Sequence, residues 1–254
     1  MKPELRHYLA ELRSALDRQP GRPPLGQQLR RAEEIPLVWP SVEFPPGRSM
    51  AEQFEAAIAP WGGVVHHLAS AADLLPTLAR LIQEAGARRV SRWRTPRLDA
   101  LHLEEGLAPL GLEWVMPSLE RAGELDDVEA RRRFFLEMEG IEVGLTDCDV
   151  AVAHTGTLVV RHDPSRPAFT NLLPWTNLIV VNASQLVPTL ADAVAGLARD
   201  QAGEPWPSNL IFNTGPSRSG DIDLTVGQGA AGPGSWHVLL VRDGEPALAP
   251  GGPT

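Results

Sequence analysis

Two short stretches carry residue types suited to anion chemistry. The first runs from Asn209 to Asp223, NLIFNTGPSRSGDID. An apolar run, Leu210-Ile211-Phe212, stops at turn formers, small hydroxyls and one arginine, and two acids follow, Asp221 and Asp223. A strand feeding a Gly/Ser-rich loop directs free backbone N–H groups, hydroxyls and a guanidinium into one crevice, which suits a carboxylate or phosphate. A plain surface turn after a core strand has the same composition. The second stretch is Thr155-Gly156-Thr157, where a residue without a side chain between two hydroxyls lets a ligand approach the backbone. Arg166 is either a cation for the same crevice or an exposed loop arginine. The binding candidates are therefore Thr155, Gly156, Thr157, Arg166, Gly215, Ser217, Arg218 and Ser219.

Carboxylates near such a crevice are Glu142, Asp221 and Asp223, each able to act as a general base if a substrate reaches it. The competing reading makes the two aspartates caps of the following turn and pairs Glu142 with an arginine. Ser217 has no Gly-x-Ser-x-Gly setting and no identifiable triad partners. His66 and His67 are adjacent on a strand and face opposite ways; with His154, His162 and His237 they form no convincing metal set. Cys148 is the only cysteine, so no disulfide, zinc or iron–sulfur site can be built from cysteines within one chain. The apolar run after it favours a buried small hydrophobe over a nucleophile. Gly227, Gly229 and Gly232 satisfy G-x-G-x-x-G, but Pro233 and Gly234 follow and no helix can open there. A dinucleotide fingerprint is excluded, leaving a glycine-rich connection.

The elements that must position these residues alternate. Residues 2 to 18 carry leucines at helical spacing, and residues 19 to 48 are broken up by seven prolines into an arm, with Trp39 and Phe44 as anchors onto another surface. Ser49 and Glu52 have capping-box spacing, so a helix starts there. Strands are expected at 64–68, 89–93 and 112–116, and helices at 73–85, 96–108 and 127–138. A hairpin or strand–bulge–strand unit follows around residues 154–157. Next come an apolar strand at 178–181, a helix at 185–198, the run 210–212 and a last strand at 236–241. The expected organisation is an N-terminal helix and arm (1–48), an α/β domain (49–245) and a flexible tail (246–254). Such alternation implies a mostly parallel sheet with helices on both faces. Ligands sit at the C-terminal strand ends of such sheets, which puts Thr155–Thr157 and Gly215–Ser219 on site loops.

Hydrophobic residues make up 43% of 254 residues, enough for a core. A net charge of -9 argues against nucleic acid or an anionic membrane as the main partner. The basic clusters at 88–97 and 131–133 read as solvated faces. With no signal-peptide pattern and no run long enough to span a bilayer, the expected setting is soluble and cytoplasmic.

Several motifs occur in a familiar order: Gly144 to Asp149, Ala153 to Leu158, Leu172-Leu173-Pro174, Gly215 to Ile222 and Gly229 to Pro233. The series resembles the LUD-domain proteins of lactate utilisation, nearest to their protein C branch, strongly over the C-terminal half. Ser219-Gly220 stands where the family more often has Thr-Ala, and Ala230-Ala231 where it often has Val-His. The resemblance implies a three-layer α/β/α fold similar to the sugar-phosphate isomerase and CoA-transferase group (NagB/RpiA/CoA-transferase-like), whose members bind phosphorylated or acidic small molecules. It also implies oxidation of L-lactate to pyruvate together with separate iron–sulfur subunits, with no cofactor evident in this chain. Three roles remain open: an accessory or substrate-binding subunit of that system, a stand-alone isomerase- or transferase-like enzyme, and a non-catalytic assembly protein docking through its N-terminal arm.

Overall fold

Parallel strands need long crossovers, and the alternation of strand and helix patterns supplies them. The computed structural model describes residues 42, 44–117, 127–200, 207, 209–220 and 226–242. Six strands form the main sheet: β1 (Gly63–Leu68), β2 (Arg89–Arg92), β3 (Glu113–Val115), β4 (Val143–Asp147), β7 (Thr176–Asn182) and β12 (Ser235–Val241). Their order is β1-β12-β7-β4-β2-β3, and every neighbouring pair is parallel. β4 and β7 are buried along their whole length, as central strands covered on both faces must be. A second sheet holds β5 (Val150–Val152), β6 (Thr157–His162), β8 (Leu186–Val187) and β9 (Asn209–Asn213) in the order β8-β5-β6-β9. The expected hairpin is there, as the antiparallel pair β5–β6. A two-stranded antiparallel hairpin, β10 (Arg218–Gly220) and β11 (Val226–Gln228), completes the strands among the described residues.

Helices α1 (Met50–Ile58), α2 (Leu74–Glu84), α3 (Pro96–Asp99), α4 (Leu103–Gly106), α5 (Val128–Met138), α6 (Phe169–Leu172) and α7 (Leu190–Asp200) connect and cover the sheets. The capping box at α1 forms as expected: Ser49 N donates to Glu52 Oε2 at 2.8 Å, and Glu52 N to Ser49 Oγ at 3.2 Å. α2 buries Leu74, Leu78, Leu81 and Ile82 on one stripe, and Gly86 ends it with a left-handed φ of 65°. The adjacent histidines of β1 do face opposite ways. His67 Nε2 meets Glu55 of α1 at 2.9 Å, while His66 feels the charges of Arg80 and Glu84 on α2. Helices therefore cover both faces of a mostly parallel sheet, the expected α/β architecture. α7 packs on the second sheet through Val152, Val159, Ala193 and Leu197, and Ala151, Leu158, Val160 and Leu186 join the main core.

Three expected elements differ. The helix over 96–108 is two single turns, α3 and α4, because His102 takes a left-handed φ of 48° between them. The helix expected from Gln185 begins at Leu190, since Leu186–Val187 pairs with β5 as β8. The run 210–212 is not a strand of the main sheet: it lies in β9, partly exposed, at the edge of the second sheet against β6. The N-terminal helix, the arm through residue 41, the tail at 246–254, Asp221 and Asp223 lie outside the described residues. Phe44, one expected anchor, sets its ring edge-on to that of His154, centroids 6.3 Å apart. Among the described residues no helix is long and apolar enough to cross a membrane.

Candidate functional site

The two stretches singled out for anion chemistry meet. Thr155 Oγ1 lies 2.8 Å from Thr157 Oγ1, which lies 2.8 Å from Thr214 Oγ1 in the loop after β9. Three hydroxyls thus join the β5–β6 turn to the Gly215 loop. Ser217 then locks that loop onto the glycine-rich connection. Its N–H donates to Pro233 O at 2.9 Å, its carbonyl accepts from Gly229 N at 2.9 Å, and its hydroxyl accepts from Ala231 N at 3.0 Å. Gly229 and Gly234 lie under the Trp175 indole, where a Cβ on either would come within 2.3 Å of a ring carbon. Gly229 of the G-x-G-x-x-G stretch, and Gly234 just beyond it, therefore serve close packing.

Arg218 opens β10 with an exposed side chain, and its Nη2 comes 3.5 Å from where a Cβ on Gly62 would stand. Among the described residues no carboxylate pairs with it. Ser219 follows it in β10, so these two lie in a short hairpin strand, where the sequence reads a continuous loop. The cluster sits at the C-terminal ends of β5 and β9, in the second sheet. Through Gly62, Trp175 and Gly232 it adjoins the N-terminal ends of β1, β7 and β12. The expected C-terminal edge of one parallel sheet is thus corrected: the apolar pattern marks 210–212 as extended but does not say which strand pairs with it. Gly156 and Gly215 both have left-handed backbones, with φ of 67° and 92°. A Cβ on Gly156 would lie 2.8 Å from Ile58 N, and one on Gly215 would lie 3.3 Å from Trp61 Cβ. The close approach at Gly156 is made by the end of α1.

Arg166 is placed apart from this cluster. Its Nη1 reaches Asp149 Oδ2 at 3.1 Å and its Nε reaches Asp163 Oδ2 at 2.8 Å, at the opposite end of the β5–β6 hairpin. Glu142 precedes β4, and its carboxylate accepts from Arg89 N at 2.9 Å and Arg88 N at 2.6 Å. These bonds hold its pKa below the usual range and make it a weak base. Cys148 is buried, as the sequence favours, and burial pushes its thiol well up, away from thiolate chemistry. His66 Nε2 lies 3.0 Å from His237 Nδ1, and Ser235 Oγ lies 2.9 Å from His237 Nε2. Among the described residues no three His, Cys, Asp or Glu side chains are placed to hold a metal ion.

Sequence reasoning passed over one charged centre. Asp147, the last residue of β4, is 4% exposed. It accepts from Thr95 Oγ1 at 2.9 Å and pairs with Arg97 Nη1 at 3.4 Å. Burial pushes its carboxyl up, against the pull of Arg97. The signal was an acid closing an apolar run, beside a basic run at 88–97 read as a solvated face. In the fold Arg92 is buried and bonds Asp99 and Glu104 at 2.6 Å each, which corrects that reading.

Comparison with known proteins follows the same lines. The LUD domain profile matches residues 51–241. A protein named lactate utilization protein C from Geobacillus sp. (strain WCH70) is 30% identical over 176 residues, covering 68% of this chain and 70% of that protein. The protein of the same name from Deinococcus radiodurans is 31% identical over 219 residues, 81% of this chain and 87% of that one. A crystal structure of a DUF162 family protein from Deinococcus radiodurans superposes with a TM-score of 0.51 at 25% identity, covering 76% of this chain and 99% of that one.

Proposed function

The chain belongs to the LUD-domain family, and from that premise we propose that it serves an L-lactate utilisation system by binding a small acidic or phosphorylated ligand. The observation that carries this reading is the joined loop cluster. Thr155, Thr157 and Thr214 form one hydroxyl chain, and Arg218 stands exposed beside the same loops. A guanidinium gives a carboxylate or phosphate two parallel donors, and loop hydroxyls and amides share the remaining charge. Gly156, Gly215 and Ser217 hold that arrangement in place by packing and hydrogen bonds. The lactate reading comes from the names of the relatives. Electron transfer then falls to separate iron–sulfur subunits, because a single cysteine cannot ligate a cluster.

Isothermal titration of the purified chain with L-lactate, pyruvate and a sugar phosphate tests this reading. Binding of one of them by the wild type and its loss in Arg218→Ala is the expected result. Unchanged binding in Arg218→Ala removes that residue's role, and turnover of the bound ligand by the isolated chain would favour a stand-alone enzyme.

A further inference from the structure

A short helix is held in place mainly by the apolar face that it buries. α5 buries little. Met138 is its only buried side chain, and Phe134 sets its ring edge-on to Phe169 of α6, centroids 5.2 Å apart. Arg89 of β2 donates to the carbonyls of Glu137 and Glu139 at its end. The other apolar side chains of α5 face outward. Phe135, Leu136 and the neighbouring Leu173 are each more than half exposed. With Arg132, Glu139 and Ile141 they line an open groove of about 570 Å³. Large apolar side chains grouped on a surface and rimmed by charge mark an interaction site.

The order of residues along α5 selects the occupant. Arg132, Phe135, Leu136 and Glu139 stand at i, i+3, i+4 and i+7, so they share one face of the helix. The midpoint of that face falls between Phe135 and Leu136. Arg132 and Glu139 lie equally far to either side of it, about 5 Å along the axis. The face therefore carries a cation at one end, an anion at the other and apolar bulk between. Among the described residues neither charged side chain has an ion-pair partner. A contact between two like subunits uses the same patch on both, so the patch must complement itself. This one does so when a second copy of α5 lies across it in the opposite direction.

We propose that the α5 face is an interface between two copies of this chain, paired antiparallel about a two-fold axis that passes between Phe135 and Leu136. That axis sets each Phe135 and each Leu136 against its own counterpart and places each Arg132 opposite the other copy's Glu139, so two ion pairs flank one apolar centre. Leu173 and Ile141 wall the groove that receives the opposing side chains. The interface adjoins the loop cluster through α6, where Leu172 Cδ2 lies 3.7 Å from where a Cβ on Gly232 would stand. One helix pair with its flanks buries less than the roughly 800 Å² per partner of a standard interface. The dimer is accordingly weak, with a Kd on the order of micromolar.

The test is sedimentation equilibrium of the full chain from about 1 to 200 µM, a range that brackets a micromolar Kd. The wild type is expected to pass from monomer to dimer across it. Arg132→Glu sets two glutamates opposite each other twice, and Glu139→Arg sets two arginines opposite each other twice. Each variant alone is expected to dimerise at least about tenfold more weakly. Mixed in equal amounts, the two variants restore both ion pairs, and a heterodimer near wild-type affinity is expected. A wild type that stays monomeric throughout overturns the proposal, as do single variants that pair like the wild type, or a mixture that pairs no better than its components. If a charge variant does not fold, Leu136→Cys decides. Cys148 is buried, so mild oxidation should link two copies only through position 136. A covalent dimer supports the axis, and its absence overturns it.

Discussion

Gly156 sits between the two hydroxyls of the β5–β6 turn, and its replacement by alanine separates two explanations of that turn. The backbone there is left-handed, with φ of 67°, and a Cβ would stand 2.8 Å from both N and Cβ of Ile58. An L residue in that conformation costs about 1–2 kcal/mol. An extra methyl forced into a packed contact costs about 1–3 kcal/mol more. Ile58 is fully buried at the end of α1, so it has little room to yield. Gly156→Ala is therefore expected to destabilise the chain by about 2–5 kcal/mol, a large share of a typical stability of about 5–15 kcal/mol. For a domain of this size, each kcal/mol moves the melting temperature by about 2–4 °C, giving a drop of about 4–20 °C. Urea unfolding followed by tryptophan fluorescence measures the loss, with acid titrations of the folded variant alongside. A loss under about 1 kcal/mol, together with abolished acid binding, would refute the packing argument. Gly156 would then face a ligand, as the sequence alone suggests.

Glu142→Ala removes the acceptor for Arg88 N and Arg89 N and should cost about 1–2 kcal/mol at neutral pH, toward the low side for bonds to a charged group because Glu142 is partly exposed. Since the folded pKa lies below the ordinary 4.5, that stability is present above pH 4.5 and is lost as pH falls through the folded value; urea midpoints across acid pH check it, and an equal gap at all pH values refutes it. The stacked pair His66 and His237 sets a second pH dependence. Burial is the main cause in both; Arg80 and then His67 add to the lowering of His66, His66 and then Arg80 add to that of His237, and Glu84 opposes it in each. The unfolded chain therefore takes up protons first as pH falls, and stability present above pH 6.5 is lost as pH drops toward the folded values. Urea midpoints should fall over that window, and the double variant His66→Gln/His237→Gln should flatten the slope; a flat wild-type profile would contradict the assignment.

Much of the local structure is legible in the sequence by itself. Ser49 and Glu52 announce a helix start because a capping box acts over three residues. The stripe of α2 and the apolar run inside β7 follow from periodicity within one element. The hydroxyl, glycine and arginine types of the two candidate loops are equally visible, as is the series of motifs that carries the family resemblance. Tertiary structure alone decided which of these residues meet. Thr157 finds Thr214 across 57 residues, and Thr95 finds Asp147 across 52. Arg166, close in sequence to the Thr155 turn, is drawn instead to Asp149 and Asp163 at the other end of the hairpin. Gly156 is a glycine because α1 comes back against it. Periodicity and capping are settled by neighbours along the chain. Strand partners, ion pairs and close approaches are settled by groups far apart in sequence, which meet only when the sheets close.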